Sequence, residues 1–120
     1  MDFVMTEQAL INLLSNAAIH TPPGTEVRLS ARTKNNDLIL RVADNGPGIP
    51  SDSSARVFEK FYRGPHAPTG GTGLGLSLVK GFIEAQGGHV TAENGAGGGA
   101  VFTLWLPLER ESSNESEAKL

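Results

Sequence analysis

The segment "GGTGLGLSLVKGF", Gly70 to Phe82, crowds four glycines into its first six residues and passes directly into an apolar helical repeat. A glycine run at a helix start leaves N–H groups unpaired and supplies no Cβ to hold a ligand away, so an anion, above all a phosphate, suits it. Two familiar glycine patterns do not fit. No Gly-Lys-Ser/Thr follows, as a Walker loop requires, and a polar glycine loop stands where a dinucleotide fingerprint needs a strand. What remains is either a plain loop and helix start, or a flexible lid over Gly64 to Thr72 that leads to a phosphate-binding helix end. Lys60, Arg63, His66 and Lys80 are the nearby cations that favour the second account.

Outward from this helix the elements alternate. Leu74, Leu78, Val79, Phe82 and Ile83 are expected to share one face, and Gly87 to close the helix. "HVTAEN" (His89 to Asn94) and "GAVFTLWLPL" (Gly99 to Leu108) read as strands across a glycine turn at Gly95 to Gly99. Upstream, Asp2 to His20 is a helix by the recurrence of Leu10, Leu13, Leu14, Ala17 and Ala18, stopped by "TPPG" at Thr21 to Gly24. Thr25 to Thr33 and Leu38 to Asp44 form a hairpin about Asn35 to Asp37. A loop, "NGPGIPSDSS", and a short helix around Ala55 to Phe61 lead into Tyr62 to Gly73, which holds no regular structure. The sum is an α/β two-layer sandwich, with helices on one face of a mixed, mostly antiparallel sheet.

The chain has 120 residues, 38% of them hydrophobic, which fits one domain. The absence of cysteine excludes disulfides and thiolate metal sites and agrees with a cytoplasmic setting. No apolar run approaches the roughly 18–20 residues of a membrane span, and the first residues lack the basic and apolar regions of a signal peptide. Net charge is −3, of which Leu108 to Leu120, with four Glu against Arg110 and Lys119, carries −2. That leaves the body near neutral and excludes nucleic-acid binding by bulk charge. The tail, residues 109–120, is expected to be a disordered acidic appendage to a domain over 1–108.

Three constellations carry candidate chemistry. Asn12 and Asn16 stand one helical turn apart, with His20 one turn further; they form a solvated polar face, or an amide carbonyl ligates Mg²⁺ on a nucleotide whose phosphates complete the shell. Asp44, at a strand end before "NGPGI", is a turn-forming Asx residue or an acceptor for the amino group of adenine. The second role selects ATP over GTP, because the guanine carbonyl would oppose the carboxylate. "FEKFYRG" (Phe58 to Gly64) places Phe58 and Phe61 for core packing and Arg63 for phosphate. His66 reads as an exposed loop residue and His89 as the start of a strand, and no Ser/His/Asp or paired-carboxylate set is evident.

In order, "NLLSNA" (Asn12 to Ala17), "DNGPGI" (Asp44 to Ile49), "FEKFYRG" (Phe58 to Gly64) and "GGTGLGLS" (Gly70 to Ser77) resemble the N, G1, F and G2 boxes of the catalytic ATP-binding domain of bacterial sensor histidine kinases. The resemblance covers Asp2 to Leu108, and "TPPGT", "DNGPGIP" and "GGGAVFTLWLPL" are similar to the potassium-responsive branch in particular. It implies the Bergerat (GHKL) fold: about three helices on one face of the sheet, here without that fold's first strand and so with an exposed sheet edge. It implies that Asn16 holds Mg²⁺, that Asn12 assists at the phosphates, and that Asp44 binds the adenine amine beside Gly46, Gly48 and Ile49. Lys60, Tyr62 and Arg63 fall in the same nucleotide-binding set. Gly71, Thr72, Gly73 and Gly75 wrap the triphosphate, and Leu74 and Leu76 close the pocket.

The hydrolytic members of that superfamily carry a glutamate as general base where this chain has Asn12, which takes no proton. The resemblance therefore implies phosphoryl transfer to a histidine on a separate dimerisation domain, with a response regulator downstream. Autophosphorylation of this chain alone is not expected. A hydrolytic ATPase and a nucleotide-free interaction module of the same fold are the alternatives. Two departures stand out: Ile19 and His20 follow the N box where the family places a cation, and Ala100 stands where it often has Thr. The usual cationic phosphate contact is then either missing or supplied by His20.

Overall fold

The computed structural model describes residues 1–49, 56–59 and 75–108. Helix α1 (Phe3–His20) begins at Asp2, whose carboxylate accepts the Met5 N–H at 2.9 Å. Its far end is closed by Thr21, whose hydroxyl donates to the Ala17 carbonyl at 2.6 Å. Strands β1 (Val27–Lys34) and β2 (Asp37–Asp44) flank a two-residue turn, Asn35 and Asn36, with φ of 51° and 68°. Two left-handed residues make the mirror-image turn whose twist matches a hairpin, and asparagine tolerates that conformation. Helix α2 (Gly75–Glu84) ends where the Gly87 N–H donates to Glu84 and the Gly88 N–H to Ile83, the paired bonds of a glycine-closed helix. Strands β3 (His89–Asn94) and β4 (Ala100–Pro107) follow.

The sheet order is β1-β2-β4-β3. Every pairing among the described residues is antiparallel, so the mixed character expected from the sequence is absent there. One face carries Leu40, Val42, Phe102, Leu104 and Leu106, which with Ala9, Leu13, Val79 and Ile83 from the helices form the buried core. Residues 56–59 form a turn that sets Phe58 edge-on to Phe102, ring centroids 6.2 Å apart. The remainder of the helix expected around Ala55 to Phe61 lies outside the described residues, and so does Phe61. No described helix is long and apolar enough to cross a membrane.

One expectation about packing is corrected, and the burial of α1 and β1 adds detail that periodicity does not supply. Leu78 does not share the buried face of α2 with Val79 and Ile83 but is 47% exposed, and on α1 Leu14 and Ala18 are exposed while Leu13 and Ala17 are buried. Strand β1 alternates like a half-buried strand, yet all eight of its residues are exposed, because it is the sheet edge and the helices cover its neighbours.

The helices run antiparallel. Gln86, just past α2, accepts the Asp2 N–H at the start of α1, and its amide lies beside the buried Thr6 hydroxyl at 3.3 Å. Asp2 thus caps one helix and fastens it to the other. Asp2→Ala is expected to lower stability by about 1 kcal/mol, a fall in melting temperature of roughly 4–8 °C readable by circular dichroism.

Candidate functional site

One end of the sandwich gathers the candidate residues from four elements. Antiparallel pairing brings Asp44, the last residue of β2, beside Ala100, the first of β4, and Ala100 pairs with Asn94, the last of β3. The α1 terminus reaches the same place: a Cβ on Gly46 would lie 2.9 Å from the Thr21 methyl. Helix α2 arrives from the opposite end, where the Gly88 backbone lies against the Trp105 carbonyl. Its ten residues rise about 15 Å, which carries Gly75 back toward the half of α1 that bears Asn12 and Asn16.

Within this region the Asp44 carboxylate has an asymmetric set of partners. Its Oδ1 accepts the Gly46 N–H at 2.9 Å and the Ala100 N–H at 3.2 Å. Among the described residues nothing donates to its Oδ2. The turn role and the acceptor role weighed for Asp44 are therefore compatible, since one oxygen forms the Asx bond and the other is left for a donor. Asn12 and Asn16 are half-buried on α1 and make no side-chain hydrogen bond among the described residues. No group of three His, Cys, Asp or Glu among the described residues could hold a metal ion, so a cation here needs phosphate oxygens besides an Asn carbonyl.

Asn45 to Ile49 is anchored at both ends. Asn45 donates its N–H to the Glu26 carbonyl at 3.2 Å and accepts the Glu26 N–H on its side chain at 2.9 Å. Ile49 packs on the core, and its N–H and C=O are both taken by the Asn94 amide, at 2.7 and 2.8 Å. Gly48 faces that amide so closely that a Cβ would lie 2.6 Å from Asn94 Oδ1.

Of the candidate residues, Asp44, Gly46, Gly48 and Ile49 lie together at this end, Asn12 and Asn16 stand on α1, whose terminus reaches it, and Gly75 and Leu76 open α2. The His20 side chain, Lys60, Tyr62, Arg63, Gly71, Thr72, Gly73 and Leu74 lie outside the described residues, as does His66. His89 belongs to the other end of β3, where it stacks on Trp105 with ring centroids 4.4 Å apart. Asn94 and Asn45 are the contributors that the sequence reading missed. The only local signals are an asparagine at a strand end before a glycine turn and another following Asp44.

The whole-chain comparisons agree with one another. The family model described as histidine kinase-, DNA gyrase B-, and HSP90-like ATPase matches residues 1–110. The signal transduction histidine-protein kinase AfsQ2 of Streptomyces coelicolor is 45% identical over 102 residues, which are 83% of this chain and 19% of that protein. The sensor protein KdpD of Clostridium acetobutylicum is 35% identical over 112 residues, 91% of this chain and 12% of that one. The potassium-responsive branch is therefore one relative among several rather than a singled-out match. Among solved structures, a mycobacterial sensor histidine kinase, MprB, superposes with a TM-score of 0.80 at 33% identity, covering 89% of this chain and 74% of that one. The chain thus spans a small fraction of the curated relatives it matches.

Proposed function

The chain belongs to the family of histidine kinase-, DNA gyrase B- and HSP90-like ATPases, and from that premise we propose that it binds Mg·ATP at the Asp44 end of the sandwich and passes the γ-phosphoryl to a histidine on a separate domain. The observation that carries this reading is the half-satisfied carboxylate of Asp44. A strand-end carboxylate held by two backbone N–H groups on one oxygen presents the other in a fixed direction, and the adenine amino group is the donor it suits. Asn16 would hold Mg²⁺ through its amide oxygen, with the phosphates supplying most of the shell, and the ion would neutralise charge on the transferring group. Asn12 would assist at the phosphates. Lys60, Tyr62, Arg63, Gly71, Thr72, Gly73 and Leu74 enter the reading from the sequence and its resemblance, together with Gly75 and Leu76 at the start of α2.

Transfer to an imidazole, in preference to water, is supported by Asn12. An amide stands at the position where hydrolytic relatives carry a glutamate, and it cannot accept the proton of an attacking water. The acceptor domain, the response regulator and a cytoplasmic position follow from the kinase relatives as parts of the same proposal. We take residues 1–108 as the nucleotide-binding unit and 109–120 as its appendage.

Two measurements test this on the 120-residue chain. Calorimetry with a nonhydrolysable ATP analogue should give saturable heat that weakens when Mg²⁺ is withheld; no heat with Mg²⁺ present favours an interaction module that has lost the nucleotide. Incubation with labelled ATP should leave no acid-labile phosphate on the chain. Steady-state ATP hydrolysis abolished by Asn16→Ala would assign it to the hydrolytic relatives instead.

A further inference from the structure

We infer that Asn94 is a positioning residue that sets base selectivity, by fixing the loop against which Asp44 reads the purine edge. The inference rests on the nucleotide reading above and extends it to a side chain outside the motifs that suggested that reading. Asn94 closes β3, forty-five positions from Ile49, and its side chain pairs with both main-chain groups of that residue, as a neighbouring strand would. Nothing local in the sequence requires such a bond. Along the loop, Asn45 is tied to Glu26 at one end and Ile49 to Asn94 at the other, so Gly46 to Gly48 hang between two asparagine anchors.

The suspended segment is the one that bears on Asp44. Gly46 N–H donates to Asp44 Oδ1, and among the described residues no other hydrogen bond holds Gly46, Pro47 or Gly48. The direction of the free Oδ2 is therefore coupled to where Gly46 sits, and Gly46 is held in part from Ile49. The close approach of Gly48 to the Asn94 amide leaves no space for a side chain between clamp and loop. Releasing Ile49 lets the loop drift, and a carboxylate whose partner drifts loses its preference for an amino group over a carbonyl on the base. The hydrogen bonds themselves are exposed to solvent, and the Ile49 side chain keeps its packing on the core when they are lost, so their removal acts on the main chain of the loop more than on the fold.

The test compares ADP with inosine diphosphate, which differs at the base position that Asp44 reads, by calorimetry on the whole chain with Mg²⁺. The parent chain should prefer ADP by at least about tenfold. Asn94→Ala should narrow that ratio to below about threefold, with a melting temperature within a few degrees of the parent's. Asn94→Asp is isosteric but sets a carboxylate oxygen against the Ile49 carbonyl, so it should narrow the ratio as well, which separates the hydrogen bond from side-chain volume. Asp44→Asn is the reference that acts on the preference directly and should reverse it. An unchanged ratio in both Asn94 variants, or an equal loss for the two nucleotides, overturns the inference while Asp44→Asn still upholds the nucleotide reading. A parent chain that does not distinguish the nucleotides overturns both.

Discussion

Asp44→Asn is expected to lower the affinity for an ATP analogue by about 30- to 100-fold while leaving the melting temperature nearly unchanged. The two effects separate because the carboxylate is used asymmetrically. The asparagine oxygen takes the Oδ1 position, where the Gly46 and Ala100 N–H groups both donate, so the internal bonds of the turn survive. The amide NH₂ is then forced into the Oδ2 position and meets the adenine amino group donor to donor. Leaving two donors opposed in a desolvated pocket costs about 2–3 kcal/mol, which is the fold-change stated. The same substitution offers a donor to a 6-oxo purine, so the preference between ATP and inosine triphosphate should reverse. Calorimetry with both nucleotides, alongside thermal unfolding, reads all three effects. Unchanged ATP affinity, or stability lost in step with affinity, would remove Asp44 from the base pocket. Asp44→Ala is the less informative variant, because it also strands the two N–H groups that Asp44 now accepts.

How much of this site the sequence disclosed depends on how local each feature is. The Asn35–Asn36 turn and the glycine closure after α2 were legible, since each is settled by residues within a turn of one another, whereas Asp2 reads from the sequence as the first residue of the helix that it in fact caps. Asp44 was legible as a strand end before a glycine loop, though its two backbone donors were not, because Ala100 arrives from another strand fifty-six positions on. Asn94 illustrates the same limit: a side chain bonded to main chain across forty-five residues leaves no periodic trace. The errors in burial have a different origin. A helical repeat marks an apolar stripe without saying which edge of it is covered, so Leu78 and Leu14 belong to their stripes and still lie open. Strand β1 shows the point for sheets, since alternation reports which residues share a face and not whether a helix lies over it.

The other large effect concerns the turn between β3 and β4, where three successive glycines differ in ways that a substitution series resolves. Gly97 has open space about its missing Cβ and no left-handed φ, Gly98 has open space with φ of +100°, and Gly99 combines φ of +78° with a Cβ position 1.8 Å from the Asp44 carbonyl oxygen. Alanine at Gly97 should therefore change stability by less than about 0.5 kcal/mol, and alanine at Gly98 should cost about 1–2 kcal/mol of backbone strain alone. Alanine at Gly99 adds a clash with main chain that no rotamer relieves, for about 3–5 kcal/mol in all, a large part of the roughly 5–15 kcal/mol that holds such a domain together. Urea unfolding of the three variants gives the ordering directly. The Gly99 change also bears on function, because the backbone it displaces belongs to Asp44 and Asn45. Its nucleotide affinity should fall further than that of Gly98→Ala even at temperatures where both are fully folded. Equal destabilisation at Gly98 and Gly99 would mean that β4 can move away from Asp44 at little cost. The tight apposition of β2 and β4 would then not be what aims the carboxylate.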